Sequence, residues 1–432
     1  MAKRDYSAIA TRHGIELNAV QPPSFEERIT RLEQTLQRTD VPFPIAPEEQ
    51  QRCLIAARTR LPFRQGNFGN ATVELRDFVN EQVYESYDFA DHLSWACLIA
   101  EQKLTKHRYA CQEYLHGEQL FEIDRCVIPD FYRLNARIYQ QTQWQLATVN
   151  TIIPAELFFT CHSCRYFPVT TFMRPLETDY LQEPDIGHDV AGHVATFTIN
   201  EVAHVMKHHG QARNLIYAAR EQQIHASQGD SVAIALADRR AEQLLMHAGR
   251  IYWFTVEFGL VLQNDDIKCF GAGILSSPGE TIHSIESDTC NRILIDPSND
   301  DDLLRLASTD YLISEFQKTY FISKGFHLLE TLTPERILAA AEAASELPEI
   351  GWRDIVPSDK VMHRGSDHLL PNDKYERLVS GQDLDECSRR VALKNLQMVF
   401  DGFDETLVSR FKSTLPTIPD QAIQWMRLQG RS

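Results

Sequence analysis

Glu183-Pro-Asp-Ile-Gly-His-Asp-Val-Ala-Gly-His193 decides how the rest of this chain is read. Two histidines, His188 and His193, stand five residues apart with the small pair Ala191-Gly192 between them. On an ideal α-helix five residues turn a side chain by about 140°, which suits one shared metal less well than a spacing of four. A local distortion of the helix, or a large ion that takes ligands at right angles, is needed to bring both rings to one point. The pair alone does not establish a metal site. A third residue adds weight. Glu257 is the only carboxylate in Ile251-Tyr-Trp-Phe-Thr-Val-Glu-Phe-Gly-Leu-Val-Leu262, and no Lys or Arg lies between Arg250 and Lys268. Burying a bare carboxylate costs several kcal/mol, so this residue is paired with a distant Arg, protonated, or bound to a metal. Two His and one carboxylate make the facial triad of non-haem Fe(II) oxygenases, which leaves coordination positions open. A hydrolytic Zn site with two His and one Glu is the rival, but the His-Glu-x-x-His helix that usually builds it is absent.

Outward from this core, most of the sequence has helical periodicity, and the expected fold class is mainly α with a minor β element. Ile29, Leu32 and Leu36 fall on one face over Glu26 to Arg38, and Leu93, Ala96, Cys97 and Ala100 do so over Phe89 to Leu104. Strand-like pieces occur at Gln145 to Ile153 and Lys268 to Ile274. Candidate boundaries are the Pro-rich Val41 to Pro47, the Gly-Asn segment Gly66 to Asn70, and Pro348 to Pro371. Leu393, Leu396, Phe400, Phe403 and Leu407 form a short heptad-like stripe with Gly402 in its middle. It reads either as a helix docking another subunit or as an amphipathic helix packed on its own domain.

The 432 residues suggest two or three domains on length alone, and 43% apolar with 24% charged residues is an ordinary globular composition. With 43 Lys+Arg against 60 Asp+Glu the formal net charge is −17, which disfavours nucleic acid and anionic membrane as partners and points to a small ligand. No run of about 18 apolar residues suggests a membrane span. The first residues carry no apolar signal core, and nine scattered cysteines fit reduced thiols better than a disulfide framework. The expected location is the cytoplasm.

Several long motifs share one further property. Phe158-Phe, Arg165-Tyr-Phe-Pro-Val-Thr170, Asp179-Tyr-Leu-Gln-Glu-Pro-Asp185 and His188-Asp-x-x-Gly-His193 resemble the tetrahydropterin-dependent aromatic amino acid hydroxylases. Within that family they are most similar to the bacterial phenylalanine 4-hydroxylase branch. The similarity continues through Tyr252-Trp-Phe-Thr-Val-Glu-Phe-Gly-Leu260, Gly271-Ala-Gly-Ile-Leu-Ser-Ser277 and Phe316-Gln-Lys-Thr-Tyr-Phe321, and more weakly from Asp88 through Ile128-Pro-Asp-Phe131. It spans roughly residues 86 to 345. The resemblance implies the catalytic fold of that family over 86–349 and leaves two flanks outside it: an N-terminal extension, 1–85, and a C-terminal extension, 350–432, both read as helical from the sequence, the second a candidate for homo-oligomerisation.

The same resemblance implies roles residue by residue. His188, His193 and Glu257 hold Fe(II), and iron with tetrahydropterin activates O2 to hydroxylate an aromatic ring. Arg174, one residue nearer the first ligand than the family arginine, grips the amino-acid carboxylate; otherwise it is a surface Arg beside Glu177 and Asp179. Ser276 and Ser277 match serines near the substrate and the first histidine, or are turn residues before Pro278-Gly279. Glu280 and Tyr252 match residues lying close to the chemistry, with a helix-capping Glu and a core aromatic as the plain alternatives. Phe158 matches the ring that stacks on the pterin, with Ile153 and Ala155 beside it. Trp253 points to phenylalanine as substrate, because tryptophan-hydroxylating members resemble one another in having Phe there.

This sequence also departs from the pattern. Val194-Ala-Thr-Phe197 replaces the usual residues after the second histidine. The 64-residue interval from His193 to Glu257 is longer than in bacterial relatives, with the excess falling within Lys207 to Arg239 and carrying His208, His209 and His225, just after His204. Those histidines read as a second metal site or, more simply, as solvated helix-face residues. Thr151 stands where the family has a pterin-loop glycine, and Cys161-His-Ser-Cys164 replaces small apolar residues. Three functions follow: ring hydroxylation of free phenylalanine to tyrosine; the same chemistry at another ring position or on tryptophan; or a metal-binding relative without turnover.

Overall fold

A computed structural model describes residues 66–68, 71–73, 82, 84, 87, 89–123, 128–149, 153, 155–173, 184–312 and 316–366. The Glu26–Arg38 helix, the Val41–Pro47 boundary and the Leu393–Leu407 stripe lie outside the described residues, as do Thr151 and Arg174. What is described is mainly helical with small sheets, as expected.

Within 1–85 the described residues include a short antiparallel hairpin, β1 (Gly66–Phe68) with β2 (Ala71–Val73). Next come α1 (Phe89–Tyr109), α2 (Gln112–Leu120) and α3 (Phe131–Thr142). Gln82 is buried just ahead of them and bridges Pro129 O at 2.8 Å and the Phe131 N–H at 2.7 Å, so the packed unit begins before residue 86. The strand expected near Gln145 is β3 (Gln145–Val149), paired in parallel with β4 (Tyr166–Thr170). Parallel neighbours need a crossover, and α4 (Ala155–Ser163) supplies it.

The long His193–Glu257 interval becomes a helical hairpin. After it leaves the ligand region the chain runs through α5 (Asn200–Ala226), about 40 Å long at 1.5 Å per residue. It turns at Gln228 and Gly229, both with positive φ, and returns through α6 (Ser231–Tyr252). Asp230 caps α6 by accepting the Val232 N–H at 2.9 Å. Buried Ala237, Ala241, Leu244, Ala248 and Ile251 recur at 3.6-residue spacing and face the core. A hairpin of this kind can be lengthened at its tip without separating its two open ends. His193 lies just before the first arm and Glu257 just after the second, so extra residues leave the ligands together.

A five-stranded sheet closes the unit in the order β6 (Asp266–Cys269), β5 (Leu260–Gln263), β8 (Thr319–Ser323), β7 (Asn291–Ile295), β9 (Lys360–His363). β8 is buried along its whole length, flanked in parallel by β5 and β7, whereas β6 and β9 pair antiparallel at the edges. The strand expected over Lys268 to Ile274 ends at Cys269; Ala272–Leu275 is a helical turn. Gly271 is the reason: a Cβ there would lie 2.4 Å from Glu257 O and 2.5 Å from Gly259 N, so only glycine allows the chain to bend against the ligand segment. Helices α7 (Pro278–Glu286), α8 (Asp300–Ser308) and α9 (Pro334–Ser345) cover the sheet's connections.

Residues beyond 349, assigned from sequence to the C-terminal extension, are stitched into this sheet. β9 pairs with β7, Asp359 forms a buried bidentate pair with Arg305 at 2.9 and 3.0 Å, and Asn291 donates to Arg353 O at 3.0 Å. No described helix is long and apolar enough to cross a membrane.

Candidate metal centre and active site

Asp185 starts the site. Its carboxylate accepts the His188 N–H at 3.0 Å and caps the single α-turn Ile186–His188. The next five residues, Asp189–His193, form a π turn rather than an α turn. A π turn closes i→i+5 hydrogen bonds and holds about one more residue per turn. That is the distortion the five-residue spacing demanded: the His188 and His193 rings come to 5.1 Å, 75° apart in plane. Gly192 makes the turn fit, since a Cβ there would lie 2.9 Å from Ala272 O. The other ligand segment repeats the device. Trp253–Glu257 is also a π turn, closed by Phe258 N–H to Trp253 O at 2.8 Å, and Glu257 is its last residue.

His188, His193 and Glu257 are the one cluster of three metal-ligating side chains among the described residues, with ligand atoms all within 4.8 Å of one another. Glu257 Oε1 lies 3.1 Å from His193 Nε2, and Oε2 lies 3.9 Å from His188 Nε2. Burial pushes the Glu257 carboxyl up, but the two histidine rings and the Gly273 N–H outweigh it and hold it below its ordinary range. No distant Arg pairs with it in these contacts; the histidines take that place. Two imidazoles and one carboxylate on one side of a buried point, with His188 partly open to solvent, suit an Fe(II) that keeps positions free.

Ser276 sets which nitrogen of His188 faces that point. Its hydroxyl donates to Gly273 O at 3.0 Å and has only one proton. At 2.9 Å from His188 Nδ1 it can therefore only accept, so Nδ1 carries the proton and Nε2 offers its lone pair to a metal. Ser277 does something different. It caps α7 by accepting the Glu280 N–H at 3.3 Å.

Tyr252 is buried, its ring against His162, His209 and Phe159, and burial with the nearby Glu257 and Asp189 charges pushes its hydroxyl well above its ordinary value. Phe158 is half-buried beside His162 and Phe167, and Phe167 in turn lies 4.7 Å from the His193 ring. Of these rings Phe167, His162 and Tyr252 are buried, and Phe158, one ring further from His193, keeps partial exposure. Ile153 is buried in a small cluster with Val149, Leu157 and Cys161, packed against Phe158, and Ala155 is exposed at the start of α4. Trp253 stacks on Tyr311 at 4.4 Å. Glu280 is neither solvated nor in the ligand cluster. Its carboxylate accepts the Tyr320 hydroxyl at 2.8 Å and the Gln317 N–H at 3.1 Å, and burial raises it to about 7.

Two groups went unnoticed in the sequence. Asp189, immediately after the first ligand, is buried and accepts the Thr170 N–H at 2.7 Å and its hydroxyl at 2.9 Å, tying the π turn to β4. His162 is wholly buried, and burial holds it neutral. Its neighbour Cys161 is buried near the C-terminal end of α4, where burial and the helix dipole both disfavour a thiolate.

The protein-family model for biopterin-dependent aromatic amino acid hydroxylases matches residues 80–225 and 218–333. The two matched segments meet on the distal part of α5, where the extra length was expected. Phenylalanine-4-hydroxylase of Caulobacter vibrioides is 34% identical over 291 residues, 67% of this chain and 89% of that protein. That of Ralstonia nicotianae is 35% identical over 291 residues, 67% and 84% respectively. Among solved structures, Chromobacterium violaceum phenylalanine hydroxylase with iron and phenylalanine bound superposes with a TM-score of 0.56 at 31% identity, covering 66% of this chain and 94% of the other. The same enzyme with iron(III) and oxidised 7,8-dihydrobiopterin gives 0.54 at 33% identity, covering 66% and 93%. The family match over most of the described unit, the similarity of sequence and the similarity of fold agree: this chain belongs to the biopterin-dependent aromatic amino acid hydroxylases.

Proposed function

We propose that this protein hydroxylates the ring of free L-phenylalanine to L-tyrosine, as an Fe(II)- and tetrahydropterin-dependent monooxygenase using O2. The observation that carries the reading is the convergence of His188, His193 and Glu257 on one buried point, produced by two π turns. When bound there, iron with the reduced pterin supplies the activation of O2. The chain's own residues do the rest. His188, His193 and Glu257 would hold the ion from one side and leave its other positions to small molecules. Ser276 keeps His188 in the ligating tautomer. Phe158, with Ile153 and Ala155, offers the surface for the pterin ring. Trp253, braced by Tyr311, forms an aromatic wall for the substrate ring. Tyr252, beside Glu257, keeps a protonated hydroxyl near the ligands. Arg174 is assigned the substrate carboxylate and Glu280 a supporting role through Tyr320.

We take the catalytic unit to run from about residue 82 to 366, since Gln82 and β9 are built into it. Cys111, Cys161, Cys164, Cys269 and Cys290 are free thiols, in keeping with a reducing cytoplasm where Fe(II) and a reduced pterin persist. Purified protein given Fe(II), a tetrahydropterin, O2 and each of phenylalanine, tyrosine and tryptophan should yield para-tyrosine from phenylalanine. Meta-tyrosine or 5-hydroxytryptophan as the main product overturns the substrate assignment. Replacing Glu257 with Gln should remove iron and turnover together; unchanged iron content refutes the ligand set.

A further inference from the structure

Lys106 lies on α1 with only 1% of its surface exposed, beneath the π turn that joins the two histidine ligands. Its ammonium has three N–H groups and three acceptors at hydrogen-bond distance: Gln102 Oε1 at 2.8 Å, Glu118 Oε1 at 2.9 Å and the carbonyl of Ala191 at 2.8 Å. Ala191 sits in the middle of the π turn, three residues after His188 and two before His193. Its carbonyl also accepts the hydroxyl of buried Tyr114. Gln102 extends the network to the other support of the site. Its amide donates to Ser276 O at 3.0 Å, and Ser276 is the residue whose hydroxyl fixes His188. One buried ammonium therefore connects the turn between the ligands to the turn that orients the first ligand.

A buried ion pair adds little net stability over apolar residues of the same volume, because desolvation offsets the attraction. In some proteins such pairs select one arrangement over another, where a donor reaches a specific acceptor. The competing arrangement here is plain: a regular α register through 188–193 would swing His193 away from Glu257. We propose that Lys106, with Gln102, Glu118 and Tyr114, is a positioning residue of the metal centre, holding the Ala191 carbonyl so that the π register, and with it the ligand geometry, persists. This rests on the assignment of His188, His193 and Glu257 as ligands.

Cobalt(II) is the probe, because its visible bands report ligand geometry without turnover. Three proteins are compared with the unaltered chain: Lys106→Met combined with Glu118→Leu, which leaves no orphan charge; Tyr114→Phe, which removes one hydroxyl from Ala191 O; and Arg305→Met combined with Asp359→Leu, which deletes a buried pair just before β9 that makes no bond to the π turn. The Lys106/Glu118 variant should bind Co(II) at least 10-fold more weakly with shifted bands, Tyr114→Phe several-fold more weakly, and the Arg305/Asp359 variant with unchanged affinity and bands despite a lower melting temperature. Unchanged affinity and bands in a folded Lys106/Glu118 variant overturn the proposal, as does equal weakening in all three. If the Lys106/Glu118 variant does not fold, Tyr114→Phe decides, and wild-type binding by it overturns the proposal. Failure of the unaltered chain to bind Co(II) removes the ligand assignment itself and the proposal with it.

Discussion

Replacing Glu280 with Gln should remove a fall in stability that its raised carboxyl pKa is expected to cause between about pH 4.5 and 7. Glu280 is 5% exposed on α7. Burial raises its carboxyl from an ordinary 4.5 to about 7, against the opposing effect of its hydrogen bonds from Tyr320 and Gln317 and of nearby Lys318. The thiols of Cys269 and Cys290 also face it, and both are held protonated by burial. A carboxyl raised in the folded state binds a proton more tightly there than in the unfolded chain. Its stabilising contribution is complete below about pH 4.5, declines as pH rises, and is gone above about 7. A window of about 2.5 pH units at about 1.4 kcal/mol each amounts to roughly 3 kcal/mol. Asp189, raised to about 7, has the same sign, and His283, lowered to about 4, the opposite one. Both cancel when wild type and Glu280→Gln are subtracted. Urea unfolding of both proteins from pH 4.5 to 8 measures this difference. A wild-type advantage that falls by about 3 kcal/mol across the window supports the assignment; parallel curves refute it. The same pair separates two roles for the residue. If Glu280 acts only through Tyr320 and β8, kcat of the variant follows its folded fraction, whereas a large kcat loss in fully folded variant places the carboxyl in the chemistry.

Three further outcomes follow from the geometry. Ser276→Ala removes the acceptor of the His188 Nδ1 proton and should weaken metal binding roughly 10- to 100-fold with the fold intact; an unchanged Kd refutes the tautomer argument. Gly192→Ala puts a Cβ 2.9 Å from Ala272 O, a backbone atom that can move only with its segment, so it should cost about 1–3 kcal/mol by thermal melting and weaken metal binding as well. Truncation after Ser366 keeps every described residue and tests the C-terminal segment. If 367–432 mediates self-association, light scattering should report a smaller assembly for the truncated chain than for the full one, and equal subunit numbers exclude that role.

The ligand residues were legible because composition and order are local properties. An isolated carboxylate in an apolar run, two histidines around Ala-Gly, and long ordered motifs can all be read along a line. The helix read over Phe89 to Leu104 is present as Phe89–Tyr109, and the strand read from Gln145 as Gln145–Val149, because both express local periodicity; the parallel pairing of β3 with β4 is a tertiary contact that was not read. The strand expected through Ile274 failed for the opposite reason. Gly271 bends the chain against Glu257, a partner that sequence proximity does not reveal.

The sequence by itself determined the family and the class of chemistry, and through the resemblance pointed to His188, His193 and Glu257 as the candidate donor set. It also showed an awkward five-residue spacing and an overlong interval, and it could resolve neither. Only the tertiary structure decided them. Two π turns, a change of hydrogen-bond register that no propensity encodes, bring His188 and His193 to one point and aim Glu257 at them. The α5–α6 hairpin absorbs the extra residues at its far end. Lys106, 85 residues before Ala191 in sequence, reaches its carbonyl because packing, not chain order, sets which buried donors meet which acceptors.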